Sequence, residues 1–477
     1  MRFRYFCLMI SLLLVFSVVF SACGGRSSHN EPQQTVESSD FQNTVASQAA
    51  TTAKVTTNVT ESVSVTSAPQ ATQPEPQPTS WEENILKSDS SSDAGWMQNG
   101  AIFPVFGTEI VRSQIATVTF KDTLDGIPSL KGIDISEAQD GSILLYVTKS
   151  TAYNNLYDMI IAAEGGINAQ NACDELFAHY TNLIEINFGD AFHTDYAKSM
   201  HSMFERCKVL TKIDLSSFKT DNVTDMSRMF YNCIAAKEID VSGFNTENVT
   251  TMESMFFECK KLTTLDVSQF TTGKVTDMSN MFNSCTLVER LDVSNFDTSK
   301  VTTMLGMFSL CESLKTLDVS GFDTSNVTNM SAMFQKCLDL AVIDVSGFNT
   351  TKVTDMGFMF NQCSSVSKLD LSSFDTSNVT SMQYMFNSCT MITTLDISSF
   401  NTKNVTTMQS MFLYCLELKN LVLMDSDTSK VTNMTNMFYN CPAISAEEAS
   451  KKLNVENVTE YDSFMSGNDW EWVWIFD

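Results

Sequence analysis

A chain of 477 residues with 56 acidic against 30 basic side chains carries a formal charge of -26, so nucleic acid and anionic lipid surfaces are repelled over most of the molecule. Only 18% of residues are charged while 43% are apolar, against a usual charged share of about 25%, which leaves hydroxyls and amides to solvate a large core. Counts of 27 Met, 33 Phe and 13 Cys against 8 Pro point to a repeated phrase.

Arg2 and Arg4 precede an apolar run from Tyr5 to Phe20 that closes on Ser21-Ala22-Cys23-Gly24. A basic flank, an apolar stretch and small residues have the layout of a secretory signal over residues 1–22. The run also approaches the ~17 to 25 residues with which an anchor spans a bilayer. Small residues followed by Cys resemble the bacterial lipoprotein box, with Phe20 where that box more often has Leu. The resemblance implies lipidation at Cys23 and a chain held to a membrane by its N-terminal lipid, outside the cytoplasm. Residues 23–96 are rich in Ser, Thr, Gln and Pro, cannot offset their chain entropy by burial, and read as a tether whose ends lie about 45 to 50 Å apart. Residues 97–176 are expected to form an N-terminal α/β cap, with strand-like Ala116–Phe120 and Ser142–Val147.

From Cys207 to Cys441 ten cysteines recur at an unbroken interval of 26 residues, and twenty of the 27 methionines sit in the same phrase. A fixed period in this range means stacked units that cannot close a core alone. Within one unit Leu265-Asp266-Val267-Ser268 alternates as a half-buried strand does. Val275, Met278, Met281, Phe282 and Cys285 then follow the spacing of one helical stripe, with Thr272 in the turn and Thr276 as candidate N-cap. No Pro lies between Pro128 and Pro442 to interrupt either element. The expected fold is thus an α/β solenoid over 177–446, about ten units of short parallel strand, turn and short helix, closed by caps at 97–176 and 447–477. The ends depart from the phrase as solenoid ends do: Ala197 stands for Val, and Val422, Met424 and Ser426 stand for Asp, Ser and Phe.

The phrase L-D-V-S-x-F-[DN]-T-x-x-V-T-x-M-x-x-M-F-x-x-C resembles the repeat of the BspA-like leucine-rich repeat surface proteins over roughly 176–446. Phe106-Gly107-Thr108-Glu109-Ile110 and Ala163-Glu164-Gly165-Gly166 are similar to the segment before the repeats in that family. The resemblance implies a bacterial extracellular protein or lipoprotein, and for some members adhesion to host matrix and plasma glycoproteins.

Stacking turns every position into a column. The Met, Phe and Cys columns read as core, the cysteines as buried free thiols, since equivalent side chains point the same way and not at one another. No C-x-x-C and no His column offers a metal site. Asp214, Asp240, Asp266, Asp292, Asp318, Asp344, Asp370 and Asp396 form a solvent-facing acidic column flanked by Ser. Like charges ~4.8 Å apart repel by only about 0.9 kcal/mol per pair at water's dielectric. The column reads as a solvated face with Asp bonded to nearby backbone, as a binding strip for a basic or hydroxyl-rich partner, or as a calcium row short of oxygen ligands. Trp470, Trp472 and Trp474 fall on one face of a possible terminal strand, suited to a lid or to a sugar platform.

No nucleotide-loop, zincin or nucleophile-elbow motif occurs, and the four histidines, His29, His179, His193 and His201, lie no further than the first irregular unit. The expected function is therefore a non-enzymatic, lipid-anchored module at the bacterial cell surface, without cofactor or metal. It binds extracellular proteins or glycoproteins as adhesins do, and not nucleic acid. A glycan-binding or structural cell-envelope protein is the alternative.

Overall fold

The computed structural model describes residues 82–89, 103–127, 131–170, 172–423, 427–444 and 453. The N-terminal cap is built on β1 (Ile115–Lys121), β2 (Ile133–Asp134), β3 (Leu144–Lys149), β4 (Tyr157–Ala162) and β6 (Glu185–Asn187), in the sheet order β2-β3-β4-β1-β6. β1 runs parallel to both its neighbours, while β3 is antiparallel to β4 and β2. Ile115, Val118 and Phe120 are buried, and Phe120 packs against Phe177, Phe188 and Phe192 at ring separations of 6.1, 5.5 and 4.6 Å. Two short parallel strands, β5 (Ile167–Asn168) and β7 (Phe192–His193), lie beside it.

Residues 82–89 fall within the stretch expected as tether, yet they belong to this cap. Ile85 bridges Asn168, Leu86 bridges Ser136 and is fully buried, and the Asn84 amide donates to the Glu164 and Gly166 carbonyls at 2.7 and 2.9 Å. Asp89 pairs at 3.0 Å with Arg112, which is itself 1% exposed. Ordered packing thus begins before residue 97.

Beyond the cap the chain is a solenoid of 26-residue rungs, and its seam is a row of parallel bridges that runs Ser199, Asp225, Thr251, Asp277, Thr303, Asn329, Asp355, Ser381, Thr407, Asn433. The helix expected in each rung is absent. In its place, Met229 N–H donates to Met226 O, Tyr231 N–H to Arg228 O and Cys233 N–H to Phe230 O, three overlapping turns of four residues. The alternate amides of Met226, Arg228, Phe230 and Asn232 leave the rung and donate to Thr251, Glu253, Met255 and Phe257 of the next, at 2.7 to 3.2 Å. Two positions per rung take a positive φ, here Arg228 (57°) and Asn232 (61°), which is the third-residue geometry of a type II turn.

The physical reason is pitch. The Phe column stacks ring on ring at 5.4 to 5.9 Å from Phe204 to Phe412. An α-helix with its side chains is ~10 to 12 Å across, so helices stacked in register would hold the rings twice as far apart. The flat turn ladder keeps the i, i+3 spacing of its apolar residues and so has the same sequence signature as a helix. It differs in sending half its backbone hydrogen bonds to the neighbouring rung. Thr276, expected as an N-cap, bonds backward instead: its hydroxyl and its N–H both reach the Thr250 carbonyl, at 3.2 and 2.9 Å.

The strand side is only partly paired. β8 (Lys212–Asp214) pairs with β9 (Glu238–Asp240), and β10 (Thr394–Asp396) with β11 (Asn420–Val422). Between them a single bridge, Arg290 to Thr316, is formed among the described residues. The alternation itself is as expected, since Ile213, Ile239, Leu395 and Leu421 point inward between exposed or half-exposed neighbours.

Side-chain ladders complete the stack. Each of the ten cysteine thiols from Cys207 to Cys441 is free and buried. Each donates to a Phe carbonyl of the preceding rung, with Sγ to O distances of 2.8 to 3.3 Å. Burial pushes the thiols from Cys207 to Cys389 up, to about 12 at Cys311 and Cys389, which keeps them protonated as the bond requires. A buried threonine column from Thr194 to Thr428 donates hydroxyl to carbonyl of the next rung at 2.8 to 3.1 Å.

The positive-φ positions hold residues that disfavour it. Ala332 takes φ 58°, and the same column holds Gly306 at the same angle. A Cβ in the left-handed region costs ~1 to 2 kcal/mol, whereas added unfolded-chain freedom returns ~0.4 to 1 kcal/mol. Ala332→Gly is therefore expected to stabilise the solenoid by about 0.5 to 1 kcal/mol, read as a higher midpoint in guanidinium unfolding. Ala332→Val should lower that midpoint.

Candidate binding surface

The acidic column forms at the corner where each strand segment ends. Asp214, Asp266, Asp292, Asp318, Asp344, Asp370 and Asp396 are exposed and Asp240 half-exposed. In every rung the carboxylate turns back on its own chain. The N–H of the residue two further on, Ser216 through Ser398, donates to Asp Oδ1 at 2.9 to 3.2 Å. This is an Asx turn, and it fixes each carboxylate in the same orientation.

The serine hydroxyls and amides hold Asp240, Asp292, Asp318, Asp344, Asp370 and Asp396 below the usual carboxylate value. A folded-state value below the unfolded one adds stability that is present above the unfolded pKa. That stability is lost as pH falls through the lowered folded value. These six carboxylates therefore stay ionised further into acid than free ones.

Two ion pairs lie on this face, Lys212 with Glu238 at 3.5 Å and Lys315 with Glu289 at 2.7 Å, and Arg290 and Lys368 stand in the same column as Lys212. Val342 stands out of the face at 71% exposure. A second acidic row, which the sequence reading did not single out, lies one corner further on. Asp297, Asp323, Asp375 and Asp427 accept from the N–H of Ser299, Ser325, Ser377 and Ser429 at 2.9 to 3.0 Å. Its signal was the recurring D-T-S, interrupted in the same column by Lys219, Asn245, Thr271, Asn349 and Asn401.

The Asn-x-Thr triplets serve the stack. The Asn222, Asn248, Asn326, Asn378 and Asn404 amides each donate to a carbonyl of the preceding rung at 2.7 to 2.8 Å. Where Lys replaces Asn, as at Lys274, Lys352 and Lys430, its ammonium reaches the Asn side chain one rung back at 2.6 to 2.7 Å. Among the described residues no three His, Cys, Asp or Glu side chains converge as a metal ion needs. Cys23 and the Trp470, Trp472 and Trp474 face lie outside the described residues.

A family model described as "Mycoplasma protein of unknown function, DUF285" matches the chain three times, over residues 171–289, 259–369 and 338–451. These matches together span more than half of the sequence. No curated protein matches. Among solved structures, the chain is similar to a plant peptide hormone receptor, RGFR1 in complex with RGF2, at 10% identity, TM-score 0.20, covering 57% of this chain and 49% of that one. It is also similar to the functional domain of InlJ from Listeria monocytogenes, which includes a cysteine ladder, at 17% identity, TM-score 0.16 and coverage of 58% and 55%. The TLR13–ssRNA13 complex matches at 13% identity, TM-score 0.18 and coverage of 58% and 48%. The chain thus spans about half the length of these proteins.

Proposed function

The chain belongs to the DUF285 family, and on that footing we propose that it is a non-enzymatic, lipid-anchored protein of the bacterial cell surface. In this reading it binds basic segments of extracellular proteins or glycoproteins along the acidic corner of the solenoid, as an adhesin does. The observation that carries the reading is the row of exposed carboxylates, each held in one orientation by its serine and each one rung from the next. A rigid row of like charges recognises a partner with repeated Lys or Arg through many weak, salt-sensitive contacts, and it speeds encounter more than it slows release. A charge of -26 extends the same attraction over the whole molecule. The signal-like N-terminus and the Cys23 box support a reading of the module as lying outside the cytoplasm, on a long polar segment that follows Cys23.

The test keeps the fold and removes the charge. Asn accepts the same serine hydrogen bonds as Asp, so Asp266→Asn, Asp292→Asn, Asp318→Asn and Asp344→Asn in one chain should preserve the turns. Binding to immobilised basic matrix and plasma proteins is expected to weaken about tenfold or more at low salt, corresponding to ~1.4 kcal/mol or above. The salt dependence should flatten with it. Unchanged affinity and an unchanged salt slope would exclude this corner as the site.

A further inference from the structure

The geometry points to a second binding site on the turn face of the solenoid, centred on Phe358 and Tyr384, for a neutral carbohydrate. The two rings stack on each other at 4.8 Å and 7°. Both residues take a positive φ, 61° and 56°. The turn ladder sets this φ in every rung, and most rungs meet it with a small or short polar side chain, as at Ser202, Ser254, Asn280 and Asn436, so bulky rings are the costlier choice there. Nothing in the stack demands them, since Gly306, Ala332 and Ser410 occupy the same column. Burial does not explain them either, because both rings are half-exposed.

The outer faces of the pair border small residues. On the Phe358 side the column continues to Ala332 and Gly306, and on the Tyr384 side to Ser410. A flat ring can lie against either face. Primary amides accompany the pair in sequence and in contact: Gln383 precedes Tyr384 and Gln362 follows Phe358 by four residues, both with no side-chain partner among the described residues, and Gln409 donates to Tyr384 Oη at 3.4 Å. Lys336 and Asp355, one of each sign, are the charged groups of the surrounding columns.

This chemistry selects the ligand. Aromatic faces take the C–H faces of pyranose rings, and amides both donate to and accept from sugar hydroxyls. An anionic ligand is repelled by the chain's overall charge, and a cationic one is drawn to the carboxylate rows. An uncharged glycan is what remains for a patch of rings and amides. The site is independent of the protein-binding corner.

The full chain is run through native gels containing dextran, galactomannan or a soluble β-glucan. Retardation by at least one is expected. Phe358→Gly with Tyr384→Gly suits the backbone at both positions and should weaken retention about tenfold. Gln362→Ala with Gln383→Ala, which removes no side-chain hydrogen bond among the described residues, should weaken it too and decides the matter if the glycine pair does not fold. The four Asp→Asn changes should leave it intact. Free migration of the unaltered chain in all three gels overturns the proposal. So does full retention by the Gln pair, or loss of retention on the Asp changes.

Discussion

Arg112→Met is expected to destabilise the N-terminal cap by about 3 to 5 kcal/mol, the largest effect of any single substitution considered. The guanidinium is 1% exposed and does two things at once. It neutralises Asp89, and through Nη1 it donates to the Glu175 and Ala178 carbonyls at 2.8 and 2.9 Å. Those carbonyls belong to residues 172–180, an incomplete rung whose Glu175, Phe177 and His179 amides already donate to His201, Met203 and Glu205. In the regular stack such a carbonyl accepts from the rung before it. Ahead of this first rung none exists, and Arg112 supplies the missing donor at Ala178. Methionine would fill the space, leave the Ala178 carbonyl buried without its donor, and strip Asp89 of its counter-charge with only the Phe106 N–H still donating to it, at 3.0 Å.

The pH dependence follows from Asp89. Burial raises its pKa and Arg112 lowers it again, with burial the larger influence. Without the guanidinium the rise is greater. A carboxyl whose folded value lies above its unfolded value takes up a proton on folding as pH falls through the folded value, so the deficit of the variant is full above that value and shrinks below it. Hydrogen exchange of the β1 and β4 amides at pH 7 and pH 5 measures this. A loss of protection as large at pH 5 as at pH 7 would place the cost in the carbonyls alone.

The stacking was legible and its hydrogen bonding was not. Cys207 to Cys441 at an invariant interval predict rungs in register, and the Met, Phe and Cys side chains are all buried as stacked columns require. The helix misreading arose because Val275, Met278, Met281, Phe282 and Cys285 satisfy two geometries that share a repeat of three to four residues. The excluding fact was present in the same reading. Strands ~4.8 Å apart and helices ~10 Å wide can share one coil only if it curves strongly, whereas close Phe-on-Phe stacking holds both sides to one pitch. The incomplete rung escaped notice because Cys173, Leu176, Phe177 and Tyr180 occupy the Met, Met, Phe and Cys places one residue out of phase. The acidic column was visible as a column, but the Asx turns that orient it depend on backbone angles that alternation does not specify.

Two threonine columns that look alike in sequence should answer substitution very differently. Thr324 is buried, donates to the Asn349 carbonyl at 3.0 Å and accepts from the Asn349 N–H at 2.7 Å. Thr328, four residues on, is exposed and donates to the Thr302 carbonyl at 3.1 Å. That carbonyl also receives the Thr328 N–H at 2.8 Å. Valine keeps the shape at either place. At Thr324 it strands a donor and an acceptor away from water, at ~1 to 3 kcal/mol each, so Thr324→Val is expected to cost about 2 to 4 kcal/mol. At Thr328 water replaces what is lost and the carbonyl keeps its backbone partner, so Thr328→Val should cost no more than about 0.5 kcal/mol. Because each rung contacts only its neighbours, the first variant should lose amide protection in the rungs around Phe334 and Phe360 while the cap keeps its own. Equal unfolding midpoints for the two variants would mean that the inner threonine row is not what fastens one rung to the next.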